Sequence, residues 1–285
     1  LRYIQPSDWI LKDGDEIYQL AAEMGGMGYI GDESNDAHIM RSSTQINLNV
    51  LEAARLQVGH GSAYPRVFFS SSACVYANDP DCVDCREDDV YPAMPDSEYG
   101  WEKLYAERLY DAYRRCYNIP TRIARIHNCY GPLGTWRGGR EKAPAALCRK
   151  IAEADGVQID IWGDGAARRS FMYIDDCIEG IRRIMNSAVT EPLNLGSTEM
   201  VTIEKLAGMI MEAARRPRGI RYIDGPVGVD GRNSENSLIK ELLDWEPNVP
   251  LHIGLKPTYE WVAQQVELAR KAEQAVHEID TLDGA

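Results

Sequence analysis

Tyr99 and Lys103 stand four residues apart in Tyr99-Gly100-Trp101-Glu102-Lys103, so on a helix they share one face. A phenol ordinarily ionises near pH ~10, and a cation beside it stabilises the anion enough to make a base near neutrality. Upstream, the apolar run that ends in Phe69-Ser70-Ser71-Ser72-Ala73-Cys74-Val75-Tyr76 brings Ser72 to a strand end. Its hydroxyl can hydrogen-bond the same alcohol whose proton the phenol takes. Tyr99, Lys103 and Ser72 therefore read as a proton-abstraction site for an alcohol being oxidised. Y-x-x-x-K alone is common on solvated helix faces; the strand ahead of it makes the pattern specific.

Apolar runs and helical stretches alternate along the chain, the pattern of a parallel sheet with helices on both faces. The spacing predicts strands at Glu16–Leu20, Arg66–Ser71, Thr121–Ile126 and Gln158–Trp162. It predicts helices at Ala37–Leu56, Glu98–Tyr117, Lys142 to about Ala154, and Thr202–Arg215, with a long C-terminal helix from about Leu251. Asn78–Ser97 is expected to be a loop, Ser170–Met185 a strand-helix unit, and DGPVGVDGRNSEN a turn-rich stretch. The texture changes after Tyr130-Gly131-Pro132, which sets the expected boundary between residues 1–130 and 131–285, with a segment near 169–190 returning to the first unit.

Gly26-Met27-Gly28-Tyr29-Ile30-Gly31 matches G-x-G-x-x-G, but a dinucleotide fingerprint also needs a following helix and an acidic residue at a second strand end about 20 positions on. The acidic Asp32-Glu33-Ser34-Asn35-Asp36 follows instead, and the count lands on Glu52 inside a predicted helix. The glycines are better read as side-chain-free backbone that can approach a ligand from the side opposite a cofactor.

With Phe69 to Tyr76, Tyr99 to Lys103, and Arg125-Ile126-His127-Asn128-Cys129-Tyr130-Gly131-Pro132, the chain resembles the extended short-chain dehydrogenase/reductase family. Its sugar-nucleotide members carry SS-x-x-VYG, YxxxK and R-x-x-N-x-YGP; here Ala77 replaces the glycine. The resemblance implies a Rossmann-like doubly wound α/β sheet, a smaller C-terminal α/β substrate domain, and NAD held through Tyr99 and Lys103. The residue between Ser and Val separates the branches of the family, and here it is Cys74, whose thiol class ionises near ~8.5 and can exchange a carbon-bound proton. MGGMG, SSAC and Gly134 to Ala146 (GTWRGGREKAPAA) point to the branch that inverts two carbons of a hexose.

That branch implies GDP-mannose or a related sugar nucleotide as partner, oxidation at C4, and epimerisation at C3 and C5 to GDP-L-galactose, with GDP-L-gulose as side product. Cys74 and Lys142 then serve as the acid/base pair, and Arg137 and Arg140 nearby can lower the lysine's pKa. Gly25, Gly26, Asn128, Glu141, Lys150, Arg169 and Arg232 carry over as substrate-binding residues. Another NAD-dependent sugar-nucleotide 4-epimerase or reductase, and an inactive nucleotide-sugar binding protein, stay open as alternatives. Family members begin with a glycine-rich strand-turn-helix unit that would precede Leu1, so the chain reads as part of a longer gene product.

The formal charge of −13 and pI of about 4.9 argue against broad attraction to nucleic acid or anionic membrane. An anionic ligand then requires locally gathered Lys and Arg. Seven cysteines and no visible secretion signal suggest reduced thiols in the cytoplasm. The Cys82/Cys85 pair reads as an exposed loop, and no metal site is expected. A homodimer is expected from the family.

Overall fold

The computed structural model describes residues 3, 5–12, 14–56, 63–78, 83–156, 158–228 and 230–283, with side chains through residue 275. Strands β1 to β6 are Glu16–Gln19, Arg66–Ser72, Asp84–Cys85, Thr121–Ile126, Cys129–Tyr130 and Gln158–Trp162. Strands β7 to β12 are Arg168–Ser170, Met172–Tyr173, Leu193–Leu195, Met200–Thr202, Gly219–Ile223 and Gly231–Ser234. The helices are α1 (Met27–Ile30), α2 (Asp36–Leu56), α3 (Glu98–Tyr117), α4 (Ala143–Glu153), α5 (Ile174–Asn186), α6 (Ile203–Ala214), α7 (Ser237–Leu243) and α8 (Leu251–Asp283).

The main sheet runs β1-β2-β4-β9, all parallel, with Ser72 beside Ile126 and Ile126 beside Leu195 at its carboxyl edge. Helices cover both faces, which is why RVFFSSS and TRIARI are nearly continuous buried runs. Val67, Phe69 and Ile123 pack with residues of α2 and α3, while Phe68, Ala124 and Leu193 pack with residues of α5. A separate core joins α4, α6 and α8 to Ile159 and Ile161 of β6. A second sheet, β10-β7-β12-β3, mixes directions, and β6 pairs with β11. These elements give a Rossmann-like α/β fold.

Two elements differ from the sequence expectation. Gly231–Ser234, inside the stretch read as turns, is β12: it has no β-branched residue and is a strand because β7 and β3 flank it. Its neighbour β3 lies within the expected loop. Of the Cys82/Cys85 pair, Cys82 lies outside the described residues, and Cys85 is buried rather than exposed. No helix among the described residues is long and apolar enough to cross a membrane.

A polar network crosses the interior behind the sheet edge. His127, only 1% exposed, places Nε2 3.0 Å from Asn194 Oδ1, which can only accept, so Nε2 carries the proton. Burial is the largest cause that pushes the imidazole down to about 4, and Arg232 and Arg125 push the same way. A depressed histidine contributes stability above its unfolded value of about 6.5, and the contribution is lost as pH falls toward about 4, because the unfolded chain takes the proton first. His127→Gln is therefore expected to unfold with less acid dependence. The wild-type-minus-variant difference in urea unfolding free energy should shrink by about 3 kcal/mol between about pH 7 and about pH 4. A constant difference would show that His127 does not titrate this way.

Candidate active site

A cavity of about 640 Å³ opens beyond the carboxyl ends of β2 and β4. Ser72, Cys74, Tyr99 and Asn128 line it from the main sheet and α3, and Gly25 and Gly26 from the segment after β1. Glu141, Lys142, Lys150, Arg169 and Arg232 line it from the elements that follow residue 131. Of the candidate catalytic and substrate-binding residues, Lys103 alone is not on this wall; Arg140, expected to act on Lys142, is not on it either.

The turn after β2 sets the chemistry-bearing end. Ser72 caps the 3-10 turn Ala73–Val75 by accepting from Cys74 N at 3.2 Å, which fixes the direction in which Cys74 leaves the strand. Ser97 caps α3 by accepting from Gly100 N, so Tyr99 lies in the first helical turn. Gly100 lets this turn press on the preceding one: a Cβ there would stand 2.2 Å from the Cys74 carbonyl oxygen. Tyr99 is consequently packed with Ile30, Ile39 and the half-buried Cys74, and it hydrogen-bonds Ser72.

Burial drives the Tyr99 phenol well above its ordinary range, and Cys74 adds to the effect while Ser72 opposes it. Its use as a base therefore depends on positive charge. Lys103 lies behind the wall, 2% exposed, with Nζ donating to Ser70 O at 2.8 Å and 5.7 Å from the centroid of the Tyr99 ring. The ammonium is fixed by the strand rather than free to follow a ligand. Burial also lowers its own pKa, and Glu102 and Cys74 oppose that.

The glycine stretch has another task than cradling phosphate. Gly26 caps the four-residue α1, and its N–H donates to Arg140 O at 3.0 Å. A Cβ at Gly26 would stand 2.4 Å from the Glu141 carbonyl oxygen, so the segment after β1 presses on the backbone that leads to Lys142. Lys142, in extended conformation, is the N-cap of α4, and Pro144 follows in the first turn. The expected influence of Arg137 and Arg140 on Lys142 meets competing partners. Arg140 pairs with Glu23 at 2.7 Å and lies 3.9 Å over the Tyr29 ring, and Arg137 stands 3.9 Å from Glu273.

Cations gather at the far side. Arg169 and Arg232 are register partners on β7 and β12. Burial, then the Arg232 charge, brings Arg169 down to about 10. Two neighbouring guanidinium groups, mutually repelling and poorly hydrated, match a ligand carrying two adjacent negative charges. Lys150 is lowered by burial and by Arg149, and donates to Asp160 O at 2.7 Å. Glu141 is engaged by Arg149 at 2.9 Å, and Asn128 donates to Ser170 O at 3.1 Å from a left-handed backbone.

Sequence reasoning missed Asp96, Trp162 and Val227, which also line the cavity. Asp96 stands 3.7 Å from Arg232, across 136 positions of sequence, a pairing that no local pattern announces. Trp162 ends β6 half-exposed, with Lys150 Nζ 5.6 Å from its ring centroid. An exposed tryptophan at a strand end beside Gly-Asp-Gly was a readable signal.

The family model described as "NAD dependent epimerase/dehydratase family" matches residues 8–196. GDP-mannose 3,5-epimerase of Arabidopsis thaliana is 46% identical over 257 residues, 89% of this chain and 66% of the relative. The chain thus spans slightly less than two thirds of that protein's length. A dTDP-4-dehydro-6-deoxy-D-allose reductase of Streptomyces sp is 30% identical, with 91% of this chain and 76% of the relative covered. Among solved structures, UDP-glucuronic acid 4-epimerase of Bacillus cereus, as a mutant in complex with a fluorinated UDP-sugar and NAD, superposes with a TM-score of 0.78 at 25% identity, covering 92% of this chain and 79% of that one. UDP-glucose 4-epimerase of Thermotoga maritima, at 24% identity, shares the fold with a TM-score of 0.78 over 88% and 78% of the two chains.

Proposed function

Because the chain belongs to the NAD dependent epimerase/dehydratase family, we propose that it inverts C3 and C5 of GDP-mannose, giving GDP-L-galactose, with GDP-L-gulose where C5 alone inverts. The observation that carries this reading is that Cys74 and Lys142, from separate elements, line one cavity with Tyr99. The 46% identity to proteins named GDP-mannose 3,5-epimerase supports it. A cytoplasmic homodimer belongs to the same reading.

Tyr99 and Lys103 fit a cofactor's ribose, since a phenol on the cavity wall is backed by a fixed ammonium. Gly26 to Gly31 do not fit a pyrophosphate, because Gly26 N is already engaged by Arg140 O and its turn presses on Glu141. When bound, NAD supplies the acceptor to which C4 gives hydride and from which it regains it.

The residues then divide the proton work. Tyr99, with Ser72 on the same hydroxyl, removes the proton from the C4 oxygen, and the charge of Lys103 favours the phenolate that this requires. The 4-ketone makes the hydrogens at C3 and C5 acidic. Cys74 and Lys142 remove and return them; inversion needs a group on each face of the ring, because a proton returned from the side it left restores the starting centre. Arg169 and Arg232 meet the diphosphate, with Lys150 behind them, and so gather positive charge within an acidic protein.

Incubation with GDP-mannose and NAD in deuterium oxide, read by NMR of the recovered sugar nucleotides, tests the proposal. Deuterium is expected at both C3 and C5. Turnover without label at either carbon would point to C4 chemistry alone and overturn it.

A further inference from the structure

Arg232 is a buried cation, 7% exposed, so its place is set by the groups that neutralise and bind it. Its Nη2 donates to Tyr76 O at 3.2 Å and to Ala77 O at 3.4 Å, with the Asp96 carboxylate 3.7 Å away. Tyr76 is itself 1% exposed. Its hydroxyl donates to Asn194 Oδ1 at 2.7 Å and accepts from Arg125 Nη1 at 3.1 Å. Asn194 Nδ2 then donates to Cys85 O at 2.8 Å and Glu235 O at 3.3 Å.

Glu235 immediately follows β12, the strand on which Arg232 stands, so the contacts close into a ring. They run from the Arg232 guanidinium to the Tyr76 carbonyl, through the Tyr76 hydroxyl to Asn194, and from Asn194 to the Glu235 carbonyl and back along the strand. The ring is anchored in the main sheet. Arg125 of β4 donates twice to the Glu107 carboxylate, at 3.0 and 2.8 Å, and that carboxylate also accepts from Ser71. Glu107 lies on α3, the helix that carries Tyr99.

We propose that Tyr76 is a positioning residue: its hydroxyl closes this ring and thereby holds Arg232 where a diphosphate is bound. The inference rests on the reading that Arg232 meets the diphosphate. A phenylalanine fills the same volume as the tyrosine, so only the hydroxyl makes the link. Without it, Asn194 Oδ1 keeps His127 alone, and the amide is held less firmly toward Cys85 O and Glu235 O. The strand under Arg232 loses one of its ties to the sheet, keeping that of Asn236 Nδ2 to Gly196 O at 2.6 Å, while Cys74 and Tyr99 keep theirs.

The test is the affinity of wild type, Tyr76→Phe, Arg232→Ala and the double variant for GDP and for guanosine, by calorimetry, with kcat and KM for GDP-mannose alongside. Tyr76→Phe is expected to weaken GDP about tenfold, the scale of one buried hydrogen bond, and to raise KM by a similar factor with kcat within about twofold. Guanosine binding should stay at the wild-type level, which also reports that the cavity is folded. The double variant should bind GDP no worse than Arg232→Ala. Unchanged GDP affinity in Tyr76→Phe, an equal loss for guanosine, or full additivity in the double variant would overturn the positioning role. Unchanged GDP affinity in Arg232→Ala would overturn the diphosphate reading and this inference with it. If Tyr76→Phe does not accumulate folded, Asn194→Ser cuts the ring at its next link, and the same results decide.

Discussion

Tyr99→Phe is expected to lower turnover by about 10²–10⁴-fold while leaving affinity for the sugar nucleotide within about twofold. The phenol oxygen is the only part of the side chain removed, and the ring keeps its packing with Ile30 and Ile39, so the fold and the cavity wall are retained. What disappears is the group proposed to accept the C4 hydroxyl proton. Ser72 cannot replace it, because a serine hydroxyl is a far weaker base than a phenolate and is already an acceptor for Cys74 N. The loss should fall on kcat with little change in KM, the signature of a group that acts in the transition state. Steady-state kinetics with calorimetric binding of GDP-mannose measure both. A loss under tenfold would remove Tyr99 from the proton transfer.

The second large effect concerns the inversion itself. Cys74→Ala and Lys142→Met are each expected to lower formation of GDP-L-galactose by about 10²–10⁴-fold while C4 is still oxidised. In the proposed mechanism oxidation and inversion are separable because they use different groups: Tyr99 serves the C4 oxygen, and Cys74 and Lys142 serve the carbon-bound hydrogens. Each variant keeps one of the two partners, so label from deuterium oxide should still enter where the surviving group takes and returns a proton, with retention of configuration. Borodeuteride trapping of the 4-keto sugar reads the oxidation, and NMR of the product reads the inversion. Wild-type inversion rates in either variant would exclude that residue from the pair. Loss of the trapped ketone in both would show that they serve C4 instead.

The elements that carry Tyr99 and Ser72 were legible in the sequence because their signals are local. Glu98–Tyr117 has an N-cap serine, helical spacing of apolar residues and an asparagine that ends it in the left-handed region. Thr121–Ile126 and Gln158–Trp162 are dense in β-branched residues and agree with the strands found. The stretch that carries Arg232 was hidden for the opposite reason. Gly-Arg-Asn-Ser has no strand propensity, and it becomes β12 only through Asn233 N donating to Val83 O and through its neighbours β3 and β7. The candidate site divides in the same way. Residues in contiguous motifs were found as types, whereas the distant pairing of Asp96 with Arg232, and the turn of Lys103 toward Ser70 O, are products of packing.

The contact between Gly100 and the Cys74 carbonyl has a consequence for how this scaffold can diversify. The main chain at position 74 is wedged by a helix that admits no side chain opposite it, while Cys74 lines the cavity. Position 74 therefore behaves as a socket with a rigid rim. Exchanging the group mounted there changes the side chain offered to the cavity without moving Tyr99, whereas any residue larger than glycine at position 100 would displace both together.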